Sequence, residues 1–149
     1  MYPDYVINME YLTAGLIQQA NTSDKESNKN KLIENIRICA DKGAQLIVLP
    51  ELHNSLYFCQ TENTQVFDGA ETIPGPSTEL FGNLAKELGV VLVLSLFEKR
   101  TPGLYHNTAV VIEKDGTIAG KYRKELENVP GISFLHDIDR KSTRLNSSH

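Results

Sequence analysis

Tryptophan is absent from this chain of 149 residues, cysteine occurs only twice, and 15 basic residues face 19 acidic ones, for a formal net charge of -4. Cys39 and Cys59 are too few and too far apart for a disulfide framework or a metal-spaced cluster, so each reads as core filler, and reduced thiols suit the cytosol. The acidic balance offers no basic field for gripping nucleic acid. No apolar run approaches the length that spans a bilayer. The segment from Met1 to Leu12 lacks the charged, apolar and small-residue succession of a secretory signal. These absences point to a soluble, cytoplasmic protein with no nucleic-acid or membrane partner. What remains, 40% apolar and 23% charged residues, is enough for one ordinary globular domain.

Hydrophobic periodicity orders the elements. Leu12 to Ala20 reads as a first strand after an irregular leader over 1–11. Ser23-Asp24-Lys25-Glu26 fits a capping box with Ser23 as the cap, opening a helix to about Lys42. Leu32, Ile33, Ile36, Cys39 and Ala40 form its buried stripe, and Gly43 stops it. Strand Leu46 to Leu49 follows. Asn54 to Pro76 is a long polar segment with room for one short helix, of a length often tied to function. Gly75-Pro76-Ser77 starts a second helix with Leu80, Phe81, Leu84, Ala85 and Leu88 on one face, closed by Gly89. Val90 to Phe97 is a buried strand. Two more strands, Tyr105 to Ile112 and Thr117 to Lys124, flank the turn dipeptide Asp115-Gly116. Strands alternating with helices and then a hairpin predict an α/β layered fold with a mixed sheet.

One strand ends in a carboxylate: Leu46-Ile47-Val48-Leu49-Pro50-Glu51. In α/β sheets ligands bind beyond the C-terminal ends of the strands, which makes Glu51 a candidate for chemistry. Taken alone, such a residue is more often a solvated or capping group. Far downstream, Lys121-Tyr122-Arg123-Lys124 would ordinarily be a solvated strand end, and strand alternation brings only one of Lys121 and Lys124 inward. His53 and His106 lack ligand spacing, so no metal and no cofactor are expected.

Ala40 to Leu52, Tyr105-His106-Asn107-Thr108 and Gly120-Lys121-Tyr122-Arg123-Lys124 together resemble, in order, the landmarks of the carbon-nitrogen hydrolase (nitrilase) superfamily. Glu51 to Gln60, Ile73-Pro74-Gly75-Pro76-Ser77 and Ser95-Leu96-Phe97-Glu98-Lys99-Arg100 bring the likeness nearest to its branch acting on N-carbamoylputrescine. The resemblance spans residues 12–124. It implies an α-β-β-α sandwich of which this chain carries the N-terminal half, and a catalytic Glu, Lys and Cys. Glu51 would be the general base and Lys124 the oxyanion stabiliser, with Asn54 and Tyr57 lining the substrate pocket. It also implies a small amide or carbamoyl amine as substrate, a place in polyamine synthesis, and a homo-oligomeric full-length form.

The nucleophile of that family lies on a Cys-Trp-Asp-like stretch after the lysine. This chain has no tryptophan and no cysteine beyond Cys59. After Lys124 the likeness stops. Residues 125–149 read as an unrelated tail, whose last part, Asp139 to His149, resembles the conceptual translation of a sequencing adapter. The expectation is an inactive N-terminal fragment whose sheet exposes apolar surface. Two alternatives stand beside it: a noncatalytic oligomerisation module, and an amidase for another carbamoyl or omega-amide substrate.

Overall fold

The structure, a computed structural model, describes residues 11–56 and 64–124. Strand β1 (Ala14–Leu16), helix α1 (Lys25–Asp41) and strand β2 (Leu46–Val48) come first, followed by a 3-10 turn over Thr64–Gly69. Helix α2 (Pro76–Leu88) then leads into strands β3 (Val91–Thr101), β4 (Leu104–Ile112) and β5 (Ile118–Arg123). They form one five-stranded sheet in the order β1-β2-β3-β4-β5. Its first three strands are parallel and its last three antiparallel. The expected layered architecture with a mixed sheet is what the chain adopts.

Local chemistry sets the helix ends. Asp24, not Ser23, caps α1: its carboxylate accepts a hydrogen bond from the Ser27 amide at 3.1 Å. A charged acceptor is the stronger cap. Buried Asn28 pins the approach to that cap by accepting from the Thr22 amide at 2.8 Å and donating to its carbonyl at 2.7 Å. The helix stops where Gly43 takes a φ of 88°, a conformation that side chains resist. Gly89 closes α2 in the same way with a φ of 64°. β1 is shorter than the expected strand, whereas β3 runs on past Phe97 to Thr101 and turns through Gly103 into β4. The charged run Glu98-Lys99-Arg100 disguises that extension as loop.

Alternation along the strands sorts residues onto two faces. Leu92, Leu94 and Leu96 of β3 and Val110 and Ile112 of β4 are essentially inaccessible. They join Leu32 and Ile36 of α1 and Phe81, Leu84 and Ala85 of α2 in one core. On the other face Val91, Val93, Ala109 and Val111 are only half-buried, and Leu16 and Tyr122 are 78% and 66% exposed. Both α-helices pack on the first face. At one end of the second, Phe67 of the 3-10 turn packs at a tilt against Phe97 and Tyr105, ring centroids 5.9 and 4.7 Å away.

The contact between α2 and the β4–β5 turn is backbone on backbone. A Cβ at Gly82 would lie 2.8 Å from the Gly116 carbonyl oxygen, and one at Gly116 would lie 2.7 Å from that of Gly82. Gly116 also needs its φ of 90° to make the turn. Gly82→Ala should therefore destabilise the protein, because overpacking costs about 1–3 kcal/mol against a helix-propensity gain of about 1 kcal/mol. Urea denaturation measures it, with a lower midpoint at unchanged slope as the expected outcome.

Candidate active site

The site is assembled where β2 and β5 end, against a residue inside β4. β2 delivers Glu51 three residues past its last paired residue, Val48. β4 contributes Asn107 and β5 runs into Lys124, whose amide donates to the Asn107 carbonyl at 2.8 Å. Lys124 Nζ donates to Glu51 Oε1 at 2.9 Å, and Asn107 Nδ2 donates to the same oxygen at 2.7 Å. The two residues expected to share a site, 73 positions apart, do meet in space.

Behind them stands a second row of hydrogen bonds. Ser95 Oγ donates to Asn107 Oδ1 at 3.3 Å and accepts from the Leu52 amide at 3.0 Å. The Asn107 amide, almost fully buried, is thereby turned with its NH2 toward Glu51. Leu52 adopts a φ of 48°, a strained left-handed conformation for a leucine, in the turn that follows Glu51. The sequence motifs contain Asn107 and Ser95 but assign neither a place in the site. Strand alternation was the available signal, since Asn107 shares the half-buried face with Ala109 and Val111.

Glu51 titrates below the ordinary carboxylate range. The hydrogen bond from Lys124 is the main cause; partial burial opposes it, and Asn107 and the lysine's charge add to the lowering. At neutral pH this is an ionised carboxylate, able to accept a proton, beside a cation. Both side chains are close to half exposed, 45% and 48%.

Directly beneath, on the helix-covered face, lies a second charge centre. Glu98 is 2% exposed and receives hydrogen bonds from Thr108 Oγ1 at 2.8 Å, Arg123 Nε at 2.8 Å, Arg123 Nη2 at 2.9 Å and Lys121 Nζ at 3.2 Å. Burial would raise its pKa, but these donors outweigh that and hold it at about 2. Lys121 therefore belongs to Glu98, and Lys124 to Glu51.

The other candidates lie elsewhere. Asn54 donates to Glu71 Oε1 at 3.1 Å and Ser77 Oγ at 2.8 Å, in a cleft of about 450 Å³ lined also by Lys25, Lys29 and Phe81. Glu51 and Lys124 do not line that cleft. Tyr57 and Cys59 fall outside the described residues. Cys39 sits on α1, its Sγ only 3.0 Å from where a Cβ on Gly15 would be, on the face away from Glu51. His53 is buried edge-on against Phe81, and among the described residues neither ring nitrogen has a hydrogen-bond partner. His106 stands opposite Glu98 in the β3–β4 ladder. Among the described residues no group of three His, Cys, Asp or Glu side chains is placed to hold a metal ion, and no helix is long and apolar enough to cross a membrane.

Comparison with known proteins matches residues 13–129 to the carbon-nitrogen hydrolase family. The chain belongs to that family. An N-carbamoylputrescine amidase of Solanum lycopersicum is 38% identical over 114 residues, and an omega-amidase NIT2-B of Xenopus laevis 40% identical over 110. These alignments cover 76% and 73% of this chain but 38% of each relative. A crystal structure of a carbon-nitrogen hydrolase from Helicobacter pylori G27 superposes with a TM-score of 0.77 at 39% identity, over 83% of this chain and 43% of that one. The chain thus spans about two fifths of the length of these relatives, and its mixed α/β sheet is the nitrilase-type fold over that span.

Two expected outcomes test the electrostatics. Lys124→Met should raise the Glu51 titration midpoint toward the ordinary carboxylate value, followed by carboxylate carbon NMR. His53 is pushed from 6.5 to about 4, chiefly by burial, with Asn54 opposing weakly. Its unfolded form protonates first, so its contribution to stability is whole above pH 6.5 and falls away as the pH drops toward 4. His53→Leu should lose less stability than the parent between pH 7 and 5, compared by urea midpoints at each pH.

Proposed function

We propose that this chain carries the base and the oxyanion-stabilising cation of a carbon-nitrogen hydrolase site. In its complete form that site would act on a linear amide or carbamoyl compound, N-carbamoylputrescine first among them. The observation that carries this reading is the Glu51–Lys124 pair, held by Asn107 at the strand ends. Glu51 takes the proton of a thiol, which becomes a useful nucleophile once deprotonated. The Lys124 ammonium faces the oxygen that turns negative as the thiolate adds to the carbonyl carbon, the moment at which a fixed charge lowers the barrier most. Glu51 passes that proton to the departing nitrogen, and ammonia leaves. The carboxylate then takes a proton from water as the water adds, and hydrolysis of the carbamoyl-thiol returns the thiol and gives a carbamate that falls apart to carbon dioxide and putrescine. With that product the complete enzyme would serve polyamine formation, and the location we propose for it is the cytoplasm.

Among the described residues no thiol lies on the site face, and Cys59, outside them, does not match the nucleophile's place after the lysine. Cys39 is on the other side of the sheet, and no cysteine follows Cys59 in the sequence. The chain alone is therefore inactive in our reading. Two relatives of nearly equal identity bear different substrate names, so an omega-amide is the alternative substrate. A second reading is favoured by the exposure of Leu16 and Tyr122 on the uncovered sheet face: a noncatalytic module that associates with intact subunits.

Purified 149-residue protein should release no ammonia from N-carbamoylputrescine or from an omega-amide. Turnover that disappears in Glu51→Gln would overturn the absence of a nucleophile. Mixing the chain with an intact carbon-nitrogen hydrolase and measuring mass by light scattering tests the module, which predicts a heavier species.

A further inference from the structure

We propose that Glu98 is the register key of strand β5: by gripping Lys121 and Arg123 on the helix-covered face, it forces Lys124 onto the site face. The evidence begins with an irregularity. From Thr108↔Arg123 to Val111↔Gly120 the β4–β5 ladder keeps one register, but next to the turn Ile112 pairs with Ile118, so that Ala119 is skipped. A ladder continued from Ile112↔Ile118 without that shift would pair Thr108 with Tyr122 and Asn107 with Arg123. Because side chains alternate, a slip of one residue exchanges the faces of everything beyond it. Lys124 would then lie on the side of the sheet away from Glu51.

Apolar burial does not choose between these registers. β5 is an edge strand in which Ile118 and Tyr122 are 37% and 66% exposed, and Ala119 and Gly120 are exposed as well. Weakly patterned strands of this kind are the ones prone to slip. The buried carboxylate does choose. In the observed register Lys121 and Arg123, two residues apart, reach the same Glu98, with Arg123 bidentate at 2.8 and 2.9 Å. In the slipped register Tyr122 would stand opposite Thr108 and only Lys124, opposite His106, would remain as a cation of β5 on that face, so a carboxylate that is 2% exposed would exchange a bidentate guanidinium and a lysine for one ammonium. A buried charge that loses its best-matched hydrogen-bond donors is strongly disfavoured, and a single buried polar group can set register in this way. Glu98 touches no reacting atom; it is a positioning residue that acts through Arg123 and Lys121 on Lys124.

The functional weight of Lys124 rests on the reading above, but its register is observable without turnover, so the failure of one leaves the other standing. The test is NMR on the full chain: hydrogen-exchange protection of the Lys124 amide, bonded to the Asn107 carbonyl at 2.8 Å, and the titration midpoint of Glu51. In Glu98→Gln the Lys124 amide should lose protection at least tenfold relative to the core amides of β3, and the Glu51 midpoint should rise. Deleting Ala119 in that background removes the skipped residue, makes the observed register the regular one, and should restore both signals. A general stabilising role for Glu98 would not be rescued by shortening the hairpin. Unchanged Lys124 protection and an unchanged Glu51 midpoint in Glu98→Gln would overturn the proposal, as would failure of the deletion to restore them. If Glu98→Gln does not fold, the double variant decides: a folded double variant supports the register role, and an unfolded one overturns it.

Discussion

Strand β3 runs parallel to β2 on one side and antiparallel to β4 on the other, and its alternation divides the molecule into two environments. Leu92, Leu94 and Leu96 look toward the helices and are dry; Val93, Ser95 and Phe97 look the other way. Everything else takes its place from that division. The core forms where α1 and α2 cover the first set. The proposed site gathers on the second, where Ser95 links the turn after Glu51 to Asn107. Neither parallel pairing nor the hairpin alone would bring a carboxylate from one and a lysine from the other to within 2.9 Å.

The two carboxylates illustrate how environment separates roles. Both are ionised at neutral pH, yet Glu98 is enclosed and saturated by four hydrogen bonds, while Glu51 keeps nearly half its side chain accessible. A saturated buried carboxylate has no free lone pair to offer a substrate and its worth is structural specificity. An accessible one, held by a single lysine and an amide, retains an oxygen for proton transfer. Exposed ion pairs contribute little to stability, about 0–1 kcal/mol, so the Glu51–Lys124 pair is a weak fastening, in keeping with the catalytic role proposed for it.

Much of this was legible from the residues. The Leu46 to Glu51 run announced a buried strand with an acid beyond its end, the Gly43 and Gly89 stops were found where expected, and Asp115-Gly116 marked the last turn. Other features were hidden for physical reasons. Ser23 resembled the cap, but the neighbouring Asp24 is the better acceptor. The long β3–β4 hairpin was obscured because Glu98, Lys99 and Arg100 look like loop until a cation pair for Glu98 is located on a strand still to come. Asn107 and Ser95 stand in the sequence within motifs and on one strand face, but the role of each lies in pointing at the other across a ladder, which no linear pattern specifies. The run Lys121 to Lys124 contained the right answer in its alternation, but which lysine faced Glu51 depended on Ala119 being skipped near the turn.

The separation of 73 residues between Glu51 and Lys124 also has a kinetic meaning. The β3–β4 and β4–β5 pairings join neighbours in sequence and carry a small loop-closure entropy, whereas the approach of Glu51 to Lys124 must wait until β2 has docked beside β3. The ion pair is thus among the last contacts the chain can make. Its formation reports the docking of β2 beside the β3–β5 hairpins, so a titration of one carboxylate doubles as a sensor of whether the parallel and antiparallel parts of the sheet have come together.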